Sequence, residues 1–191
     1  LLDTLFMRAA LWFNKERPAL AEAHRLLGAP DVPPLEDHAA RLRHFSRALR
    51  GAPYFLGPTG EGRFADADPL PVADLGRMDC VTYMENALAL ARARTAADFL
   101  PALLPVRYHG DSIRFAARNH YFAGEWVRNN PRDFRVLPIP GDTVHAKTLH
   151  RAALLGGKGV AGDDLEITLR YLPYERALAL ARNWTLGPRF L

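Results

Sequence analysis

The chain has 191 residues, of which 49% are hydrophobic and 24% charged, a composition that supports a sizeable core and excludes a disordered chain. A single cysteine, Cys80, excludes an internal disulfide framework and a cysteine-rich zinc site, and the lack of any run of about 18 apolar residues excludes a membrane-spanning helix. A net charge of +4 favours anionic partners through long-range attraction, but the densest basic group, Arg41, Arg43, Arg47 and Arg50, shares its segment with Glu36 and Asp37, so a solvated helix face is preferred to a nucleic-acid surface.

In chain order, the first third reads as helices. Leu5, Trp12 and Phe13 sit at helical spacing before Pro18, which suits a first helical residue. A short helix through Ala23 and Leu27 stops at Gly28, and the Pro30-Asp31-Val32-Pro33-Pro34 run breaks the chain. A third helix is expected over residues 35–50, with Leu42, Phe45 and Leu49 on one face and Gly51 as its stop. Residues 52–78 are rich in Gly, Pro and Asp. With Tyr54, Phe55 and Phe64 among them, they read as an ordered loop beside a binding site.

Residues 80–93 give the clearest helix. Val81, Tyr83, Met84, Ala87, Leu88, Leu90 and Ala91 cover nearly its whole circumference, and only Glu85 and Asn86 interrupt them, so it is expected at the centre of its domain. Thr95 caps a shorter helix to Leu104. Beyond Pro105 the pattern turns to strand-like runs at 106–108, 112–115, 134–138 and 165–172, with a helix at 120–129 between the early ones and another at 174–183. Helices first and strands later is an α+β arrangement. There is no internal repeat and no low-complexity segment. Because the sequence starts at Leu1 rather than Met, a removed leader or a trimmed start is expected.

Cys80 is the candidate nucleophile. It follows Asp79 at the first turn of the central helix, where free N–H groups and the helix dipole favour an anion. An adjacent carboxylate opposes a thiolate, and that opposition shrinks if Asp79 spends its charge capping the Val81 or Thr82 amides. A lone cysteine is commonly just a small buried hydrophobe. Its position at the mouth of a buried helix, after a long Gly/Pro loop, is what suggests a cysteine hydrolase. A base is then required, normally histidine. His24, His38 and His44 read as surface residues, His109 as a turn residue, and His145 and His150 as flanking a strand. His120 sits at a strand-to-helix turn crowded with polar and aromatic groups and is the preferred candidate; its bland alternative is a capping or core histidine.

Other motifs fail. Gly157-Lys158-Gly159-Val160-Ala161-Gly162 matches a dinucleotide glycine pattern but precedes a strand rather than a helix, and reads as a turn. No phosphate-binding Gly-Lys-Ser/Thr, no Gly-x-Ser-x-Gly and no His-Glu-x-x-His occurs. Asp66 and Asp68 lack the further ligands of a calcium loop. No metal site and no cofactor are expected.

Several segments together resemble a bacterial N-acetylmuramoyl-L-alanine amidase-like family. They are Gly51-Ala52-Pro53-Tyr54, Leu56-Gly57-Pro58, Gly60-Glu61-Gly62, and Met78-Asp79-Cys80-Val81-Thr82-Tyr83-Met84-Glu85. The match continues through Val106-Arg107-Tyr108-His109-Gly110, Arg118-Asn119-His120-Tyr121, Glu125-Trp126-Val127 and Asn129-Asn130. The resemblance covers about residues 51–130, and the Asp-Cys-Val-Thr helix start is its most specific part.

The family resembled belongs to the NlpC-type, papain-like cysteine amidases, so the resemblance implies an α+β fold. Its core would be papain-like, with the central helix packed on an antiparallel sheet. A helical annex (1–51) and an active-site loop (52–79) would precede the catalytic core (80–191), all in one domain. It implies an amidase that cuts the bond between N-acetylmuramic acid and L-alanine in peptidoglycan fragments. Cys80 would be the nucleophile and His120 the base, with Tyr54, Asp79, Thr82, Arg118, Asn119, Tyr121 and Trp126 around the substrate. Helix-start amides would steady the oxyanion, and Arg118 would suit a substrate carboxylate. It also implies a monomer in the bacterial envelope, periplasmic or secreted, with muropeptides as partners and no stable membrane insertion. The sequence departs from the usual pattern in lacking a His-x-Gly and in ending its recognisable core soon after the strand at 172. A non-catalytic module that binds peptidoglycan fragments is the alternative.

Overall fold

The computed structural model of the chain describes residues 16–61, 70–110, 113–120, 126–130, 143–149 and 165–171. The helix expected through Leu5 and Phe13, the strand at 134–138, the 157–162 turn and the closing helix at 174–183 lie outside them. The chain divides into two compact units, Leu1–Arg118 and Asn119–Leu191.

In the first unit, helix α1 covers residues 16–27 of the described chain. It ends at Gly28, whose N–H donates to the His24 carbonyl at 3.0 Å. A Cβ at Gly28 would lie 3.1 Å from that same oxygen. Pro18 lies inside the helix rather than opening it, since Glu16 and Arg17 are already helical. Helix α2 (His38–Ala48) begins three residues later than the expected 35 because Asp37 caps it, accepting from the Ala40 N–H at 2.9 Å. Gly51, at φ +94°, follows it as expected. Phe45 and Leu49 are buried, but Leu42 is exposed and Arg41 turns inward in its place. The Arg41 guanidinium donates to the carbonyls of Pro33, Leu90, Ala91 and Ala93. Three of those belong to the far end of the next helix and its cap, so Arg41 satisfies acceptors that a helix terminus leaves open.

That next helix, α3 (Cys80–Arg92), is buried at Thr82 and from Glu85 through Ala91. It packs against α2 and against α4 (Ala96–Arg107). Ala19, Ala23, Leu26, Phe45, Leu49, Leu90, Phe99 and Leu103 close one apolar cluster around it, so residues of α1 and α2 share a core with α3. Helix α4 is capped by Thr95, as expected, with Asp98 reciprocating, but it runs past Leu104 to Arg107 with Pro101 and Pro105 inside it. The strand expected at 106–108 is therefore not one: Val106 and Arg107 form the last helical turn. Tyr108 makes an isolated antiparallel bridge to Arg118, and Phe115–Ala117 is a 3-10 turn where a strand over 112–115 was expected.

In the second unit, β1 (Thr143–Leu149) pairs antiparallel with β2 (Leu165–Tyr171), from Thr143 opposite Tyr171 to Leu149 opposite Leu165. The alternation read over 165–172 thus marks a real strand. His145, expected beside a strand, lies inside β1 opposite Leu169. Of the helix expected at 120–129, the described part contains the turn α5 (Val127–Asn129), and His120 is not helical.

The expected α+β, papain-like core with a central helix laid on an antiparallel sheet is overturned. The described residues are helix-rich. In the first unit α3 has helices as neighbours, and the strands described form a two-stranded ribbon in the second unit. The physical reason lies in the 106–115 segment, whose valine and aromatics mimic strand composition while a buried ion pair holds its start helical.

Candidate active site

The site is built on the start of α3. Asp79 is its N-cap: one carboxylate oxygen accepts from the Val81 N–H at 3.1 Å and the Thr82 N–H at 2.8 Å. The Thr82 hydroxyl lies 2.8 Å from that oxygen and accepts in return from the Asp79 N–H at 2.9 Å. This is a reciprocal capping box. The other Asp79 oxygen accepts from the Gly57 N–H at 3.2 Å, tying the 52–58 loop to the helix start. The carboxylate beside Cys80 therefore spends its charge on backbone amides, as the sequence reading required. The same bonds change the expected oxyanion donors, because the Val81 and Thr82 amides are taken. The Cys80 N–H makes no hydrogen bond among the described residues.

Cys80 is exposed. It lines an open pocket of about 240 Å³ with Leu49, Arg50, Gly51, Ala52, Tyr54, Met78, Asp79 and Tyr83. Tyr54 is 70% exposed at the rim. Its strand-like bridge to Met78 fixes it there, with the Phe55 N–H donating to the Met78 carbonyl and the Met78 N–H to the Pro53 carbonyl, both at 3.1 Å. Tyr83 is held from the side by the Ser46 hydroxyl at 2.8 Å.

The ends of the 52–78 loop are pinned by buried charges that the sequence reading did not find. Glu16 of α1 accepts from the Val72 N–H at 2.6 Å and the Ala73 N–H at 3.0 Å. Arg107 of α4, fully buried, donates to Glu85 of α3 at 2.7 Å and also to the Val72 carbonyl. Burial pulls the Arg107 pKa down, but the charges of Glu85, Tyr108 and Glu16 outweigh it and the net shift is upward. Asn86, the other polar interruption of α3, donates to the Asp74 carbonyl at 2.9 Å. The signal for these anchors was visible: Glu85 and Asn86 were the polar residues on an otherwise apolar helix.

Arg118 donates to the Thr59 carbonyl at 3.0 Å, the Thr59 hydroxyl at 2.6 Å and Glu61 at 3.4 Å, so its fork already has protein acceptors. Asp79 and Thr82 serve the cap. In the second unit Asn119 is buried and accepts from the Asn129 amide at 2.7 Å. Trp126 is buried and its carbonyl accepts from the Asn130 amide at 2.8 Å. His120 is partly buried, and Tyr121 lies outside the described residues. Among the described residues no group of three or more His, Cys, Asp or Glu is placed to hold a metal ion, and no helix is long and apolar enough to cross a membrane.

No curated protein matches the sequence. Among solved structures, the chain is similar to protein LPG0564 from Legionella pneumophila str. Philadelphia 1, of the family DUF1460, with a TM-score of 0.67 and 21% identity. The similarity covers 87% of this chain but 66% of that one, so the chain spans just under two thirds of its length. At that identity the likeness speaks to the fold alone. Residues 44–155 match the family described as AmiA-like, N-acetylmuramoyl-L-alanine amidase-like. That match spans more than half of the chain and includes α3 with its capped cysteine, and the chain belongs to this amidase-like family.

Proposed function

We propose that the protein is a cysteine-dependent amidase of peptidoglycan fragments, cutting the amide between the lactyl group of N-acetylmuramic acid and L-alanine. The observation that carries this is the exposed Cys80 thiol, in a pocket, at the start of a buried helix whose neighbouring carboxylate is already committed to the cap. The family match supplies the amidase class and the cell-wall substrate.

In this reading the Cys80 sulfur attacks the amide carbonyl carbon and its proton passes to the His120 imidazole. The unengaged Cys80 N–H faces the developing oxyanion, an interaction worth about 2.7–4 kcal/mol per lost donor in other acyl-transfer enzymes. The carbon–nitrogen bond then breaks and the imidazole proton leaves with the L-alanine amine. A lactyl thioester remains on the enzyme. Water adds to it, giving a proton back to the imidazole; the carboxylate departs and the thiol is restored. Tyr54 stands at the rim of the pocket beside Cys80, and Arg118 steadies the preceding loop through Thr59 and Glu61. The envelope, periplasmic or secreted, is where such a substrate is met.

The test is to incubate defined muropeptides with wild-type protein and with C80S, H120A and H145A, reading products by mass. Cleavage by wild type, lost in C80S and reduced about 10²–10⁴-fold in H120A, is the expected outcome. Loss in H145A with H120A active moves the base to β1. Binding without turnover by wild type makes the protein a peptidoglycan-fragment binding module and ends the amidase reading.

A further inference from the structure

Another cavity of the first unit shares no lining residue with the pocket beside Cys80. It has a volume of about 570 Å³ and is lined by Asp31, Pro33, Ala40, Arg43, His44, Arg47 and Ala48. Residues 40, 43, 44, 47 and 48 recur at the three- and four-residue spacing that stacks side chains along one helix face, next to the face where Arg41 and Phe45 enter the core. The two arginines differ sharply from Arg41. Arg41 spends its donors on four carbonyls, whereas the Arg43 and Arg47 side chains make no hydrogen bond or ion pair among the described residues. The Nη1 of Arg43 is buried and still has no partner. A solvated surface arginine keeps its water; this nitrogen has lost water and gained nothing in the protein, which points to a missing acceptor.

The charges around the cavity favour an anion as that acceptor. Arg43 and Arg47 are permanently charged. The one carboxylate on the lining, Asp31, is 77% exposed and lies 3.9 Å from His44 Nδ1, at the edge of the site. We infer that this cavity binds the anionic group of a small molecule, an oxyanion of the phosphate or carboxylate type, held by the guanidinium groups of Arg43 and Arg47. Such planar forks present paired donors suited to two oxygens of one anion.

The test is titration of the full chain at fixed ionic strength with three probes: inorganic phosphate, succinate, and phosphatidylcholine vesicles containing phosphatidic acid. Saturable binding is expected in at least one arm. R43Q and R47Q should each weaken it about tenfold or more, D31N should strengthen it, and R17Q, an equal loss of charge on α1, should leave it unchanged. Binding of phosphate or succinate identifies a free small molecule as the source, and binding of vesicles alone identifies a lipid headgroup. Arg47 is exposed, so R47Q keeps the test decisive if R43Q folds poorly. No saturable binding in any arm, or equal weakening by R17Q, overturns the proposal.

Discussion

Cys80 owes its reactivity in this account to what its neighbour does. Asp79 closes the helix start and, through Gly57, the loop beside it. D79A should lower stability by about 1–2 kcal/mol and reduce amidase activity with the thiol intact, while D79N, which also caps, should retain most of the stability; urea unfolding reads both. The exposed thiol of folded protein should react with a thiol reagent without prior unfolding, and labelling only on denaturation would contradict its placement. Tyr108 offers a separate check. Its hydroxyl is buried with no hydrogen-bond partner among the described residues, and burial, with help from Glu61 and Glu85 against Arg107 and Arg118, pushes its pKa well above the ordinary tyrosine value. The folded state thus holds this proton more tightly than the unfolded chain. The resulting stability is intact below about pH 10 and lost as pH rises beyond it. Y108F should remove that alkaline loss and, by deleting an unsatisfied buried group, be neutral or stabilising by up to about 1 kcal/mol at pH 7.

At the scale of elements, α3 was legible because its apolar residues surround the axis and its start carries Asp79 and Thr82, both local signals. The late start of α2 at Asp37 and the last turn of α4 were not. Val106-Arg107-Tyr108 has strand composition, and what holds its first two residues helical is Arg107 meeting Glu85, a partner 22 residues away. Composition rules place charges outside, so a buried role for Glu16, Glu85 and Arg107 does not follow from sequence pattern. Removing one member of such a buried pair strands the other. R107M should therefore cost about 3–5 kcal/mol in denaturant unfolding, and the E85Q/R107M double variant clearly less than the sum of the single changes. Additive losses would mean the two side chains do not depend on each other.

For the whole molecule, the helical first unit with its cysteine followed from periodicity, caps and the Gly/Pro loop. The sheet did not, because strand-like runs beyond Pro105 include helical Val106 and Arg107 and a 3-10 turn at Phe115–Ala117, and the packing of the central helix on a sheet was carried over from a resemblance. The exposed cysteine at a capped helix start was readable from local position; a basic partner for it was not, because closeness in space leaves no mark in sequence spacing. Arg118 shows the same gap from the other side, since its acceptors Thr59 and Glu61 lie 59 and 57 residues away. The most direct trial of the central claim is mass spectrometry of the intact protein caught during turnover of a muramyl-L-alanine fragment. The account predicts a covalent adduct carrying the muramyl acyl group on Cys80, absent in C80S, together with free L-alanine-terminated peptide. Release of that peptide at the wild-type rate by C80S, with no adduct at any time, would contradict it.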